Sequence, residues 1–144
     1  MKNVKDGRTS AKIVCCLVVI VAMGLQAGAG FTHEAMAPDM WMAPEHMAHL
    51  ENPIAAEADS ITRGKEIFLQ NCSACHGENG EGLDAKTIGL ETNPPNLKER
   101  IKMHPDGDFF WKIQAGRGEM PSFEKELTNE EIWDVINYIK KQSD

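Results

Sequence analysis

Strands, cysteines and basic residues are all scarce in this chain, and each scarcity removes a class of chemistry. No segment alternates apolar and polar residues over the length of a strand. A thioredoxin-type dithiol site sits between a strand and a helix, so that reading of Cys72-Ser73-Ala74-Cys75 loses its scaffold. There are only 4 cysteines, and Cys15 and Cys16 lie in an apolar run where they read as small hydrophobes. Without a second cysteine pair, and with His104 as the lone further ligand, a structural zinc site falls short of its usual set. A disulfide between Cys72 and Cys75 would enclose only Ser73 and Ala74, too short a loop to staple a fold. The chain carries 15 basic against 22 acidic residues, a formal charge of −7. Four of the basic residues and only Asp6 among the acids precede residue 30, which leaves 11 basic against 21 acidic residues, or −10. No basic stripe remains to neutralise phosphates, so nucleic acid is not an expected partner.

What is present divides the 144 residues into one small domain of roughly 100 residues and an N-terminal extension. Lys2, Lys5, Arg8 and Lys12 precede the apolar run at residues 13–25, and small residues follow, with Ala27-Gly28-Ala29 fit for cleavage. The uncharged run continues for about twenty residues, near the length that spans a bilayer. Residues 1–29 therefore read as a signal peptide or an uncleaved membrane anchor, with the glycine- and alanine-rich second half favouring cleavage. Either outcome sends the rest of the chain across the cytoplasmic membrane, into a periplasm-like compartment.

Residues 30–58 lack sustained periodicity and read as a Met/His/Pro-rich linker or wrapping arm, within which Pro44 opens a short helix through Leu50. The domain at 59–144 starts with a helix capped by Asp59 or Ser60 that runs to about Asn71. Gly64, on its apolar stripe, implies the close approach of another element. A second helix starts at Pro105-Asp106 and stops at Gly116, and Thr128 with Glu131 forms a capping box for a third. Ile132, Val135, Ile136 and Ile139 give that helix one buried face. The domain is thus expected to be all-α, with three to four helices and a glycine-rich loop from Gly77 to Asn96. So few short helices bury little apolar surface, and a long loop is unusual unless it wraps something. A large apolar cofactor at the centre answers both points.

Covalent haem attachment fits Cys72-Ser73-Ala74-Cys75-His76 on these grounds. Two thiols spaced to reach one edge of the macrocycle add to its vinyl groups, and the adjoining His76 meets the iron as proximal ligand. Met120 is the candidate for the other ligand, because Gly116, Gly118 and Pro121 hold it in a non-helical turn 44 residues after His76.

With NCSACHG, PPNL, GRGEMP and IWDVINYIKK in that order, residues 59–142 resemble a small class I c-type cytochrome, monohaem and His/Met-ligated. The resemblance implies a small cytochrome c fold around one covalent haem c and its iron. It also implies that Tyr138 packs across the first helix near Gly64 and Phe68. The carbonyl of Pro94 or Pro95 is implied to accept the His76 ring proton, with Pro95 favoured because Asn96 and Leu97 follow it as in the family. Arg117 reads as a partner for a haem propionate.

A six-coordinate iron leaves no place for substrate, so the expected function is single-electron transfer on the outer side of the membrane, not enzymatic catalysis. The expected partners are redox proteins with a basic docking face, an oxidase, reductase or dehydrogenase, and a membrane only if the leader stays attached. Two other readings stand beside it. His33, Met36, Met40, Met42, His46, Met47 and His49 could handle copper, and a Met120 that dissociates would make a haem enzyme or sensor.

Overall fold

The computed structural model describes residues 41–144, so the leader or anchor and the first part of the arm, with His33, Met36 and Met40, lie outside the described residues. Three helices of ten or more residues carry the core: α2 (Ala58–Asn71), α6 (Asp106–Ala115) and α7 (Asn129–Gln142). Four single turns accompany them among the described residues: α1 (Glu45–Ala48), α3 (Ser73–His76), α4 (Ala85–Ile88) and α5 (Leu97–Arg100).

Helix α7 begins at the capping box read from the sequence. The Thr128 hydroxyl accepts from the Glu131 amide at 3.3 Å, and the Glu131 carboxylate accepts from the Thr128 amide at 2.8 Å. Two otherwise unpaired amides at the helix start are thereby satisfied. Burial extends beyond a stripe, from Ile132 through Ile139 without a break, because α2, α6 and the arm cover α7 on several sides.

Helix α2 meets α7 along Ser60, Gly64 and Phe68, one residue per turn on a single face. A Cβ on Gly64 would overlap the backbone carbonyl of Asp134, so only glycine lets the two helices come this close. Next to the crossing, Asp134 is fully buried, and its carboxylate accepts from Ser60 Oγ at 2.5 Å and from Arg63 at 2.7 and 3.0 Å. The start of α2 differs from its sequence reading. Glu57 occupies the cap position, and Ser60 turns inward to Asp134, 74 residues away, because a buried carboxylate competes successfully for its hydroxyl. Phe68 packs on Tyr138 with ring centroids 5.3 Å apart, and the Tyr138 hydroxyl donates to the Glu78 carbonyl at 3.2 Å.

Helix α6 closes the core with Phe109, Phe110 and Ile113, and the Phe110 ring stacks on Trp133 at 4.2 Å. The segment read as linker or wrapping arm belongs to the packed unit from residue 41 onward. The buried Asp108 carboxylate accepts from the Ala43 amide at 2.7 Å as well as from Lys112 at 2.6 Å, with His104 Nδ1 at 2.9 Å. Farther along the arm, Asn52 donates to Asn137 at 2.9 Å and to the Trp133 carbonyl at 3.3 Å. Gly107 lies so close to the Met47 carbonyl that a Cβ there would overlap it.

Gly64→Ala is expected to force α2 and α7 apart and to cost about 3 kcal/mol, read from the denaturant midpoint. A pH effect follows from the capping box. The Thr128 amide and hydroxyl hold the Glu131 carboxyl below its ordinary value of 4.5. A depressed carboxylate contributes stability that is present above that ordinary value and is lost as pH falls through the lowered one. Glu131→Gln should therefore flatten the acid limb of the stability curve, as followed by thermal melts.

Candidate functional site

Cys72 ends α2 and opens α3, at φ −116° and ψ −33°. Its amide still donates to the Phe68 carbonyl at 2.8 Å, while its own carbonyl accepts from Cys75 at 3.2 Å and His76 at 2.9 Å. Positions i, i+3 and i+4 of this near-helical path share a face, which brings both thiols and the imidazole onto one turn. Gly77, at φ +75°, stops the helix there.

The chain then folds back on that turn. The Gly82 amide donates to the His76 carbonyl at 2.8 Å, Leu83 to Cys75 at 3.0 Å, and Leu97 to Gly80 at 2.7 Å. Gly82 has φ +81°, and a Cβ on it would overlap the Pro94 carbonyl oxygen. This close approach draws Pro94-Pro95 beside α3, where the Pro95 carbonyl lies 3.4 Å from His76 Nδ1. A carbonyl can only accept, so the contact assigns the proton to Nδ1 and leaves the lone pair on Nε2. Nε2 makes no hydrogen bond to any described residue. Burial pushes His76 below the usual imidazole range, against the opposing effect of the Pro95 bond, and keeps the ring neutral as a metal ligand must be. Burial, with Cys75 alongside, pushes the Cys72 thiol up to about 12, so it stays protonated at neutral pH. Both thiols are free and half-buried.

Met120 and Arg117 lie on a second turn. Gly116, at φ +63°, ends α6, and its α-carbon lies against the backbone of Pro121 and Ser122. After Met120, the chain is pinned to α6 by Phe123 N donating to Ile113 at 3.1 Å and by Ser122 Oγ donating to Gln114 at 2.6 Å. Arg117 and Met120 exchange backbone bonds of 2.9 and 3.1 Å. Met120 is half-buried and packs against the core, whereas Arg117 is exposed and its guanidinium bonds to no described residue. The structure therefore groups Cys72, Cys75, His76 and Pro95, and sets Met120 with Arg117 on a separate turn. Hydrogen bonds between that turn and the 77–96 loop run through Glu119, whose carboxylate accepts from the amides of Glu91 and Thr92. Neither Glu119 nor Gly82 stands out in the sequence. A glycine in a glycine-rich loop carries no signal of what approaches it, and a surface glutamate none of where it reaches.

In the arm, His46 and His49 are exposed, whereas Met47 packs against the core. Among the described residues, no group of three or more His, Cys, Asp or Glu side chains could hold a metal ion. A groove of about 470 Å³ beside the arm, bordered by His49, Asn52, Asp106 and Lys140, includes none of the candidate site residues.

The donor set fits haem. Two unpaired thiols share a turn with a neutral imidazole whose Nε2 is unengaged, and a soft thioether is supplied elsewhere; a hard cation would want oxygen ligands. Such a site on an all-helical core defines a class I c-type cytochrome. Residues 59–139 match the family described as cytochrome C oxidase, cbb3-type, subunit III, and the chain belongs to this cytochrome c family. Membership implies covalently bound haem c with its iron. The chain is 33% identical over 90 residues to cytochrome c6 of Thermosynechococcus vestitus, covering 62% of this chain and 76% of that one. It is 35% identical over 95 residues to cytochrome c6 of Pyropia yezoensis, covering 63% and 78%. A chain of the Kuenenia stuttgartiensis reducing HAO-like protein complex shares the fold, with TM-score 0.50 and 24% identity over 64% of this chain and 47% of that one.

Two loop glycines with positive φ separate close approach from mere conformational preference. Gly89, at φ +77°, has nothing within 4 Å of the point a Cβ would occupy, so Gly89→Ala should cost only about 1 kcal/mol. Gly82→Ala adds overlap with Pro94 and should cost roughly 3 kcal/mol or more, with both read from chemical unfolding.

Proposed function

We propose that this chain is an exported monohaem electron carrier in which Cys72 and Cys75 attach the haem and His76 and Met120 hold its iron. The observation that carries the proposal is the His76 turn: Nδ1 faces the Pro95 carbonyl and Nε2 is unengaged, on the same turn as two free thiols. Haem c supplies a one-electron Fe(II)/Fe(III) couple when bound. The chain's own residues do the rest. Pro95 fixes the His76 tautomer and strengthens its basicity. The Met120 thioether favours the reduced state and raises the potential. Arg117, exposed and without a protein partner among the described residues, is free to neutralise a propionate. With His76 and Met120 both holding the iron, no position would be left open to a substrate, in keeping with the cytochrome c6 likeness.

The leader read at residues 1–29 would place the domain in the periplasm, released or tethered to the membrane. Among the described residues no helix is long and apolar enough to cross a membrane. With 11 basic against 21 acidic residues beyond the leader, the domain suits transient docking on a basic face of an oxidase, reductase or dehydrogenase.

The protein purified from its host should exceed the mass of its polypeptide by one haem that resists acid-acetone extraction. Replacing Cys72 and Cys75 together with alanine should make any bound haem extractable; a wild-type mass without haem contradicts the proposal. Electron transfer to the physiological partner should slow as ionic strength rises, and a flat salt profile would remove the charge-steering part.

A further inference from the structure

We propose that Glu119 is a positioning residue for Met120: its carboxylate clasps the Met120 turn to the loop at Glu91–Thr92 and sets how readily the thioether yields its place on iron. This rests on Met120 being an axial ligand.

The turn from Gly116 to Met120 is held unevenly. Its C-terminal side is pinned to α6 through Ser122 and Phe123. Its tip is bare: Gly118 has φ +59°, and a Cβ built on it would meet nothing within 4 Å. What ties the tip across to the other loop is Glu119. One carboxylate oxygen accepts from the Glu91 amide at 2.9 Å, and the other accepts from both the Thr92 amide and the Thr92 hydroxyl at 3.3 Å. Two consecutive amides thus face the two oxygens of one carboxylate, an arrangement of charge-assisted bonds that a neutral side chain reproduces only in part.

The far end of the clasp is itself anchored. Leu90 donates to the Ala85 carbonyl at 2.9 Å, and Asn93 accepts from the Ala85 amide at 2.9 Å, so the Glu91–Thr92 corner is fixed to α4 on both sides. The same stretch continues into Pro94-Pro95 and the His76 contact. Glu119 therefore links the segment bearing one candidate ligand to the segment that orients the other. Opening the Met120 turn requires breaking these bonds, so their loss raises the population of open turn available to a competing ligand.

The test uses ferric holoprotein and imidazole as competitor, following the weak long-wavelength absorption of a thioether-ligated haem. Glu119→Ala should bind imidazole roughly tenfold more tightly than wild type. Glu119→Gln, which keeps one accepting oxygen but turns an NH₂ toward an amide donor, should fall between them. Glu126→Ala, an exposed acid of the same charge close in sequence, should match wild type. An affinity for Glu119→Ala within about twofold of wild type overturns the proposal, as does an equal effect from Glu126→Ala, which would indicate net charge alone. If Glu119→Ala does not accumulate as holoprotein, the Glu119→Gln titration decides by the same twofold criterion. A wild-type protein without the long-wavelength absorption overturns the Met120 ligation itself and the clasp with it. Its presence alongside unaltered variants overturns the clasp alone.

Discussion

At Gly64 the α2 backbone rests against the Asp134 carbonyl of α7, and the haem-binding elements take their positions from that crossing. Helix α2 ends at Cys72, so the direction of α2 fixes where the first thiol enters the site. Helix α7 reaches the other side of the same loop through Tyr138, whose hydroxyl holds the Glu78 carbonyl. The turn bearing Cys72, Cys75 and His76 is thus held before and after by two helices that only a glycine lets approach so closely. The Ser60–Asp134–Arg63 cluster sets the rotation of that crossing. A buried carboxylate adds little net stability once its desolvation is counted, but it costs several kcal/mol, roughly 3 to 5, when left without partners. It therefore penalises any other register of α2 on α7.

Where local chemistry decides, the sequence is legible. The capping box at Thr128–Glu131 and the stop at Gly116 depend on neighbours a few residues away, and both occur. Gly64 is readable as a point of close approach, but what approaches is the α7 backbone at Asp134, while Tyr138 lies one turn along on Phe68. Ser60 reads as a possible cap; a partner 74 residues distant takes its hydroxyl instead. The stretch from Gly77 to Asn96 reads as plain loop, yet Asp84 caps a helical turn at Ala85–Ile88 by accepting from the Lys86 amide. One turn is too short to register as helical periodicity. At the site, the Cys-x-x-Cys-His spacing is legible because the proposed attachment and ligation use adjacent positions. Supports such as Gly82 and Glu119 act across the fold and carry no comparable pattern.

Residues 41–57 precede the family match, which starts at 59, and they are fastened by polar groups buried in the domain. Asp108 accepts the Ala43 amide, and Asn137 donates to the Ile54 carbonyl at 3.1 Å while accepting from Asn52. Those groups would need other partners in a domain without the arm. Through these bonds the described part of the arm is tied to α6 and α7.

The proposal that Met120 is the second ligand to the iron is the central claim, since such ligation would close the iron to substrate and suit the chain to carrying electrons. X-ray absorption at the iron of the purified ferric protein tests this most directly. The expected first shell holds a single sulfur scatterer and one axial imidazole alongside the porphyrin nitrogens, with the sulfur lost in Met120→Ala. A first shell without sulfur, or with an open or water-filled position in the wild-type protein, would contradict it.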